Sequence, residues 1–463
     1  MLKKFIGNKQ FYKNLLLVSI PIILSQLITQ FVSLLDNLMV GQLSPAEFTG
    51  VSIANQFFFI FNLAIFGALA GPGVFSTQYH GAKDLKQVKE CIRYKILLCT
   101  VILVIGLTSF ILFNEQLFNL FIHEDELVNV LPEDVVKYGK DYLYIMLIGI
   151  IPFALSEIYS SNLREAKQTF IPMLANIIAV LINLVLNYIF IFGKFGCPAL
   201  GVKGAALGTV VARFIACLIV VLYAYISKKH TYNRITLNKI FPSKENFITI
   251  FKKSYLLLLN EFLWSVGMLL VNFAYSFEGL EVVAATNIVS TFVNLFGLLG
   301  IAIGNGIAIL LGQMLGAKRL EEAREESYKY LAFSVVLGIS VALFMYILRN
   351  TVPSLYNMEP SVIKMAEDLI AISALILPIR VYCMTCYFII RSGGKVFITF
   401  LFDSVFTIVI RVTVTLCVAV FTDLSIYYVY LISELVEIVK VVLGTILVKK
   451  GIWVVSMTKK IED

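Results

Sequence analysis

Among the ionisable side chains of this 463-residue chain, the candidates for positions inside long apolar stretches are Asp36, Glu157, Arg213, Glu261, Arg380, Asp403, Arg411, Glu434, Glu437 and Lys440. A charge at mid-bilayer costs roughly 2.5–3.5 kcal/mol on insertion scales, so each is a candidate for handling an ion or a substrate. Asp36 leads, because other oxygen-bearing side chains are expected at its depth. With span one running outward, Asp36 lies about 7 Å below its outer end at about 1.5 Å per residue. Asn183 and Asn187, four apart, share one helix face in the outer half of span five. Thr209 falls at a similar level in span six. A carboxylate, two amides and a hydroxyl offer the oxygen ligands a hard cation such as Na⁺ wants, or a carboxylate to carry a proton. The same residues could instead form an interhelical hydrogen-bond cluster that only packs helices.

The second half carries a different set. Glu261 is expected about two turns from the inner end of span seven, with Asp403 at similar depth in span eleven and Arg380, Arg411 and (in the first half) Arg213 nearer the middle. Glu261, Arg380 and Asp403 are candidates for substrate binding or a second coupling site; alternatively, arginines and carboxylates here neutralise one another in the bundle core. The i, i+3, i+6 spacing of Glu434, Glu437 and Lys440 allows Glu437 and Lys440 to pair. Pro21, in the first third of span one, removes a helix bond and is a candidate hinge. Pro378 stands two residues before Arg380, and Gly67, Gly71 and Gly73 correspond to Gly300, Gly304 and Gly306. These glycines are hinges or close-packing sites. The histidines, His80, His123 and His230, are expected in loops, which leaves carboxylates for any proton relay. Cys383-x-x-Cys386 reads as small packing residues, and no metal is expected beyond Na⁺ at Asp36.

The elements that would position these residues are membrane helices. The chain is 59% hydrophobic and 15% charged, against roughly 25% charged in soluble domains. Twelve apolar spans are predicted at about 14–40, 46–78, 94–113, 138–162, 170–193, 203–226, 254–277, 281–313, 329–348, 363–389, 396–421 and 426–448. In hydrocarbon they must be helical. The first reads as a retained helix, with no small-residue cleavage site. With a cytoplasmic N-terminus, inner segments hold 28 Lys and Arg and outer segments 6. That bias places both termini inside and explains the net charge of +8 without nucleic acid.

The chain also repeats itself. Gln78-Tyr-His-Gly-Ala-Lys83 returns 235 residues later as Gln313-Met-Leu-Gly-Ala-Lys318, and Arg164 and Arg391 end spans four and ten. Each half has six spans, so both enter the membrane in one orientation. The expected fold is all-α: two six-helix lobes, 1–230 and 254–463, related by a pseudo-twofold axis along the membrane normal, with a cytoplasmic linker 231–253. No Gly-x-x-x-x-Gly-Lys-Ser/Thr loop occurs, so transport would use an ion gradient or run downhill. No enzymatic constellation and no cofactor site is read in the chain.

The twelve spans, the Gln-x-x-Gly-Ala-Lys motifs closing spans two and eight, Leu163-Arg164, Arg391-Ser-Gly-Gly394, Asp36-Asn-Leu-Met-Val-Gly41 and Gly201-Val-Lys-Gly-Ala-Ala-Leu-Gly-Thr209 together resemble the multidrug and toxic compound extrusion (MATE) family, in its bacterial branches. The resemblance covers essentially the whole chain. It implies a V-shaped pair of lobes and export of amphipathic organic cations and drugs in exchange for Na⁺ or H⁺, across a bacterial cytoplasmic membrane, by a monomer. It implies a cation site at Asp36, Asn183, Asn187 and Thr209, with Pro21, fifteen residues before Asp36, as the bending point of span one. Glu261 matches a glutamate of NorM-like members. Two positions depart from the pattern: Asn187 is aspartate in some members, and the place of a span-ten aspartate holds Arg380, which could tether Glu261 or Asp403 instead. The alternative reading is a lipid-linked saccharide flippase of the same superfamily, whose anionic headgroups would suit Arg213, Arg380 and Arg411.

Overall fold

A computed structural model describes residues 5–119, 131–227, 232, 241–356 and 358–458. His123, His230 and linker positions 231 and 233–240 lie outside the described residues. Regular structure among the described residues is helical, without strands. The long helices are α1 (Lys9–Val40), α2 (Pro45–Gly81), α3 (Leu85–Leu112), α4 (Pro132–Glu165), α5 (Phe170–Phe192), α6 (Val202–Ile226), α7 (Lys244–Ser276), α8 (Leu280–Gly316), α9 (Leu320–Ile347), α10 (Pro360–Ser392) and α11 (Val396–Phe421). All eleven are long and apolar enough to cross a membrane. The twelfth predicted span is two shorter helices, Ile426–Leu435 and Glu437–Lys450, together called α12. Only Val436 parts them, and its own backbone is right-handed helical (φ −55°, ψ −29°).

Local sequence sets the ends. Pro45, Pro132 and Pro360 occupy first turns, where a missing N–H costs nothing. Ser44 and Glu47 cap α2 reciprocally: the Ser44 N–H donates to Glu47 Oε2 (3.1 Å) and the Glu47 N–H to Ser44 Oγ (3.3 Å). Leu17, Phe59, Ile105 and Leu343 are all about 60% exposed. Such surfaces are unfavourable in water and suit hydrocarbon.

The helices form two compact units. One contains Met1–Ile23, Thr77–Asp84 and Phe251–Asp463; the other contains Leu24–Ser76 and Leu85–Ile250. In the first, Phe11, Leu15, Val18 and Ile22 of α1 pack into a core with Ile303, Ile307 and Leu310 of α8 and Tyr330 of α9. Cys386 belongs to that core, and all seven cysteines are free thiols. In the second, Tyr159 and Leu163 of α4 pack with Ala175 of α5 and Val220 and Ala224 of α6.

The repeated motif has a structural cause. Gly81 and Gly316 end α2 and α8 where the two helices touch backbone to backbone. A Cβ on Gly81 would strike Gln313, and one on Gly316 would strike Gln78. Each copy then closes its helix identically. Lys83 and Lys318 both sit at φ 59°. Asp84 N–H returns to Tyr79 O and Arg319 N–H to Met314 O, each at 3.0 Å. Lys167 (φ 62°) and Gly394 (φ 69°) play the same part after α4 and α10. A left-handed lysine is strained by about 1 kcal/mol or more. Lys318→Gly should therefore raise stability by about 1 kcal/mol, whereas Gly316→Ala should lower it by about 1–3 kcal/mol. Thermal unfolding of the detergent-purified protein would show opposite shifts, and shifts of the same sign would contradict this packing.

Candidate functional site

The four residues expected around Asp36 are neighbours, all within one unit. Gly204 and Gly208 on α6 make this possible. A Cβ on Gly204 would meet the Phe190 backbone, and one on Gly208 would collide with Asn187 Oδ1. Helices α5 and α6 therefore approach closely enough for their polar groups to share a layer. Asn187 Nδ2 donates to Asp36 Oδ1 at 2.9 Å. The Asn183 amide is satisfied with its nitrogen toward Asp36, donating to Oδ1 (3.1 Å) and Oδ2 (2.9 Å). Its oxygen then accepts the Thr209 N–H at 3.2 Å and lies 3.1 Å from the Thr209 hydroxyl. That hydroxyl can also donate to Ala205 O at 3.0 Å. Asn183 and Asn187 are buried and Asp36 is half-buried. Among the described residues, one carboxylate is thus held by amide donors alone.

A further contact on the same face of α5 escapes a reading based on charges. Asn176, two turns before Asn183, donates to Ser25 Oγ (2.9 Å) and Thr29 Oγ1 (2.7 Å) of α1. Its i, i−7 spacing from Asn183 was the available signal. In the same unit, Arg213 stacks over Phe153 (5.0 Å) and Phe58 (5.9 Å), and its Nη1 is buried without a hydrogen-bond partner among the described residues. Lys95, at the start of the third predicted span, is fully buried in α3. Its Nζ donates to Ser161 Oγ (3.0 Å), Asn162 Oδ1 (2.8 Å) and Glu165 Oε1 (2.6 Å) of α4. Both charges lie at span ends, where hydropathy does not mark them as buried.

The second-half candidates belong to a longer network in the other unit. Arg380 does not reach Glu261 or Asp403; it ion-pairs with Glu434. Arg411 shares the same Glu434 oxygen at 2.6 Å and meets Glu437 at 3.5 Å. Lys440 lies 3.7 Å from Glu437, as the spacing predicted, and 3.3 Å from Asp403. The signs alternate along the whole chain of contacts. Asn260 Nδ2 holds the second Asp403 oxygen at 3.1 Å and lies 3.3 Å from Tyr387. Tyr387 lies 3.4 Å from Glu261, and Arg391, not Arg380, is the partner of Glu261 at 3.5 Å. Arg380 misses Glu261 because α12 presents it with a nearer carboxylate, and no spacing in the sequence reveals which helix lies beside α10. Asp403 and Arg411 sit on a π-helical stretch of α11, Leu401–Val405 and Thr407–Val412, a form concentrated at functional sites. Four carboxylates, Glu261, Asp403, Glu434 and Glu437, face four cations, Arg380, Arg391, Arg411 and Lys440, so the network is neutral. Pro21 lies inside an unbroken α1, two residues before the boundary between the units at Ile23 and Leu24.

The MatE family profile matches residues 21–189 and 257–417. The probable multidrug resistance protein NorM of Bacillus subtilis (strain 168) is 27% identical over 375 residues, covering 77% of each chain. The multidrug resistance protein MdtK of Pectobacterium atrosepticum is 26% identical over 371 residues, covering 78% of each. The crystal structure of the Vibrio cholerae MATE transporter VcmN in its bent form superposes with a TM-score of 0.84 at 18% identity, over 96% of this chain and 97% of that one. This last likeness concerns the all-helical, two-lobe, twelve-helix fold.

The two clusters should respond differently to loss of charge. Glu434→Ala strands Arg380 and Arg411 and should cost about 3–5 kcal/mol of stability. Asp36→Asn keeps its shape and its amide neighbours and should cost less than about 1 kcal/mol. Chemical or thermal unfolding in detergent would separate them, and equal losses would contradict the assignment of partners.

Proposed function

The chain belongs to the MatE family, whose members are transporters and not enzymes, and from that premise we propose that it is a cation-coupled antiporter exporting amphipathic organic cations and drugs. Its multi-pass helices place it in a membrane; we assign it to the bacterial cytoplasmic membrane, with both termini inside, as a monomer of two lobes, 1–230 and 254–463, joined through 231–253. The observation that carries the coupling is the Asp36 carboxylate held by Asn187 and Asn183 amides among apolar helices. An amide presents either N–H or C=O. When Na⁺ or a proton reaches Asp36, the carboxylate no longer needs donors. The amides can then turn their oxygens inward, as ligands for Na⁺ or acceptors for a carboxylic O–H, with Thr209 beside them.

Such a switch must bias two conformations of the protein to do work. Helix α1 is suited to transmit it. Its residues to Ile22 are buried in one core, and Ser25, Thr29 and Asp36 bond to α5 in the other unit. Pro21 supplies no N–H to the helix ladder between these stretches. Binding at Asp36 would bend α1 at Pro21 and release substrate in an alternating-access cycle. The flippase reading keeps one observation, the Nη1 of Arg213, which has no hydrogen-bond partner among the described residues. Arg380 and Arg411, which would also serve an anionic headgroup, are already paired with Glu434 and Glu437.

Asp36→Asn is expected to abolish ethidium and norfloxacin export in membrane vesicles while the protein remains in the membrane at normal amount. Undiminished export would overturn the coupling role. Varying Na⁺ at fixed pH identifies the ion: export that rises with Na⁺ assigns Na⁺, and export indifferent to Na⁺ but dependent on the pH gradient assigns H⁺.

A further inference from the structure

Two buried lysines in this chain are held in opposite ways. Lys95 Nζ has three oxygen partners between 2.6 and 3.0 Å, the spacing of tight charge-assisted bonds. Lys440 Nζ is held more loosely, by one hydrogen bond to Asp403 at the long end of the usual range. Asp403 Oδ1 is 3.3 Å away, Glu437 Oε2 3.7 Å, and the ring centres of Phe406 and Phe402 5.4 and 5.6 Å. A bare ammonium fits such a shell loosely. A bulkier, weakly hydrated alkylammonium can meet Glu437 and the ring faces through its methyl groups while its charge faces Asp403. Carboxylates combined with aromatic faces are the chemistry that recognises organic ammonium ions.

Two more observations point the same way. Asp403 keeps 19% of its side chain exposed, whereas Lys440 keeps 7%, so the carboxylate is the accessible side of the pair. Asn260 fixes the other Asp403 oxygen, which leaves Oδ1 oriented toward the ammonium whatever occupies it. The charge count adds a constraint. With Lys440 withdrawn, four carboxylates face three cations, and one monovalent cation restores neutrality.

We propose that Asp403, Glu437, Phe402 and Phe406 form a binding site for the ammonium group of an organic cation, and that Lys440 occupies it as an internal stand-in which the substrate displaces. The site rests on the export reading only in identifying that cation as the exported substrate; binding itself does not depend on coupling at Asp36.

The test uses the full chain purified in detergent and tetramethylammonium as probe. Lys440→Met keeps the apolar stem and removes the charge. It should bind tetramethylammonium about tenfold more tightly than the natural protein by calorimetric titration, a gain equivalent to about 1.4 kcal/mol. Adding Asp403→Asn should abolish the gain. In the natural protein, which avoids any failure of the variant to fold, tetramethylammonium should increase acetylation of Lys440 by acetic anhydride, read by peptide mass spectrometry. Lys95 in the same sample should stay unmodified. Equal affinity of Lys440→Met and the natural protein, a gain that survives Asp403→Asn, or Lys440 labelling indifferent to the probe would each overturn the proposal. Asp36→Asn separates the two readings: lost export with retained tetramethylammonium binding leaves this site intact, and retained export with no binding removes it alone.

Discussion

Hydrocarbon supplies neither counter-charge nor hydrogen bonds, so every ionised group within these helices must be satisfied by another part of the chain. The two units meet this constraint differently. Around Glu434 and Asp403, opposite charges are threaded into a neutral ladder across α10, α11 and α12. Around Asp36, no cation answers the carboxylate among the described residues that hydrogen-bond to it, and amides do instead. Amides satisfy a carboxylate without neutralising it. The first arrangement resists entry of another charge unless one of its own leaves. The second leaves the carboxylate's charge uncancelled by its amide partners, and the proposed coupling rests on that feature.

Helix α1 contributes to both units. Its N-terminal stretch is a core element, with Leu15 fully buried beside α8 and the Phe11 ring 4.6 Å from that of Tyr330. Its C-terminal stretch is attached through Asn176, Asn183 and Asn187, polar side chains on one face of α5. Hydrogen bonds of this kind are individually modest and exchangeable, whereas packed apolar contacts are not. A change at Asp36 therefore alters the weaker attachment, and Pro21 lies beside the place where one kind of attachment gives way to the other.

Duplication shows where the chemistry diverged. The closing turns after α2 and α8 keep the same φ and the same hydrogen bonds, because a backbone-to-backbone contact tolerates only glycine. The equivalent arginines do not keep equivalent partners. Arg164 meets Glu157 on its own helix at 3.2 Å, whereas Arg391 reaches Glu261 on α7. Backbone geometry is constrained by sterics, and side-chain pairing is constrained only by neutrality, which several partners can provide.

Hydrophobic run length determined the helices, since a span of about twenty apolar residues in lipid has one satisfiable backbone conformation. The spacing of Asn183 and Asn187 and the depth of Asp36 likewise anticipated their grouping, because within one helix distance follows residue number. Those features belonged to the sequence by itself. Which helices lie side by side did not, and that choice decided the rest: Arg380 with Glu434, Asp403 with Lys440, and Lys95 drawn inside to Glu165. An ion pair between helices depends on packing distance and rotation. Neither is written in residue spacing, and the π-helical turns of α11 shift that rotation further. Only the tertiary structure could assign each buried charge its partner.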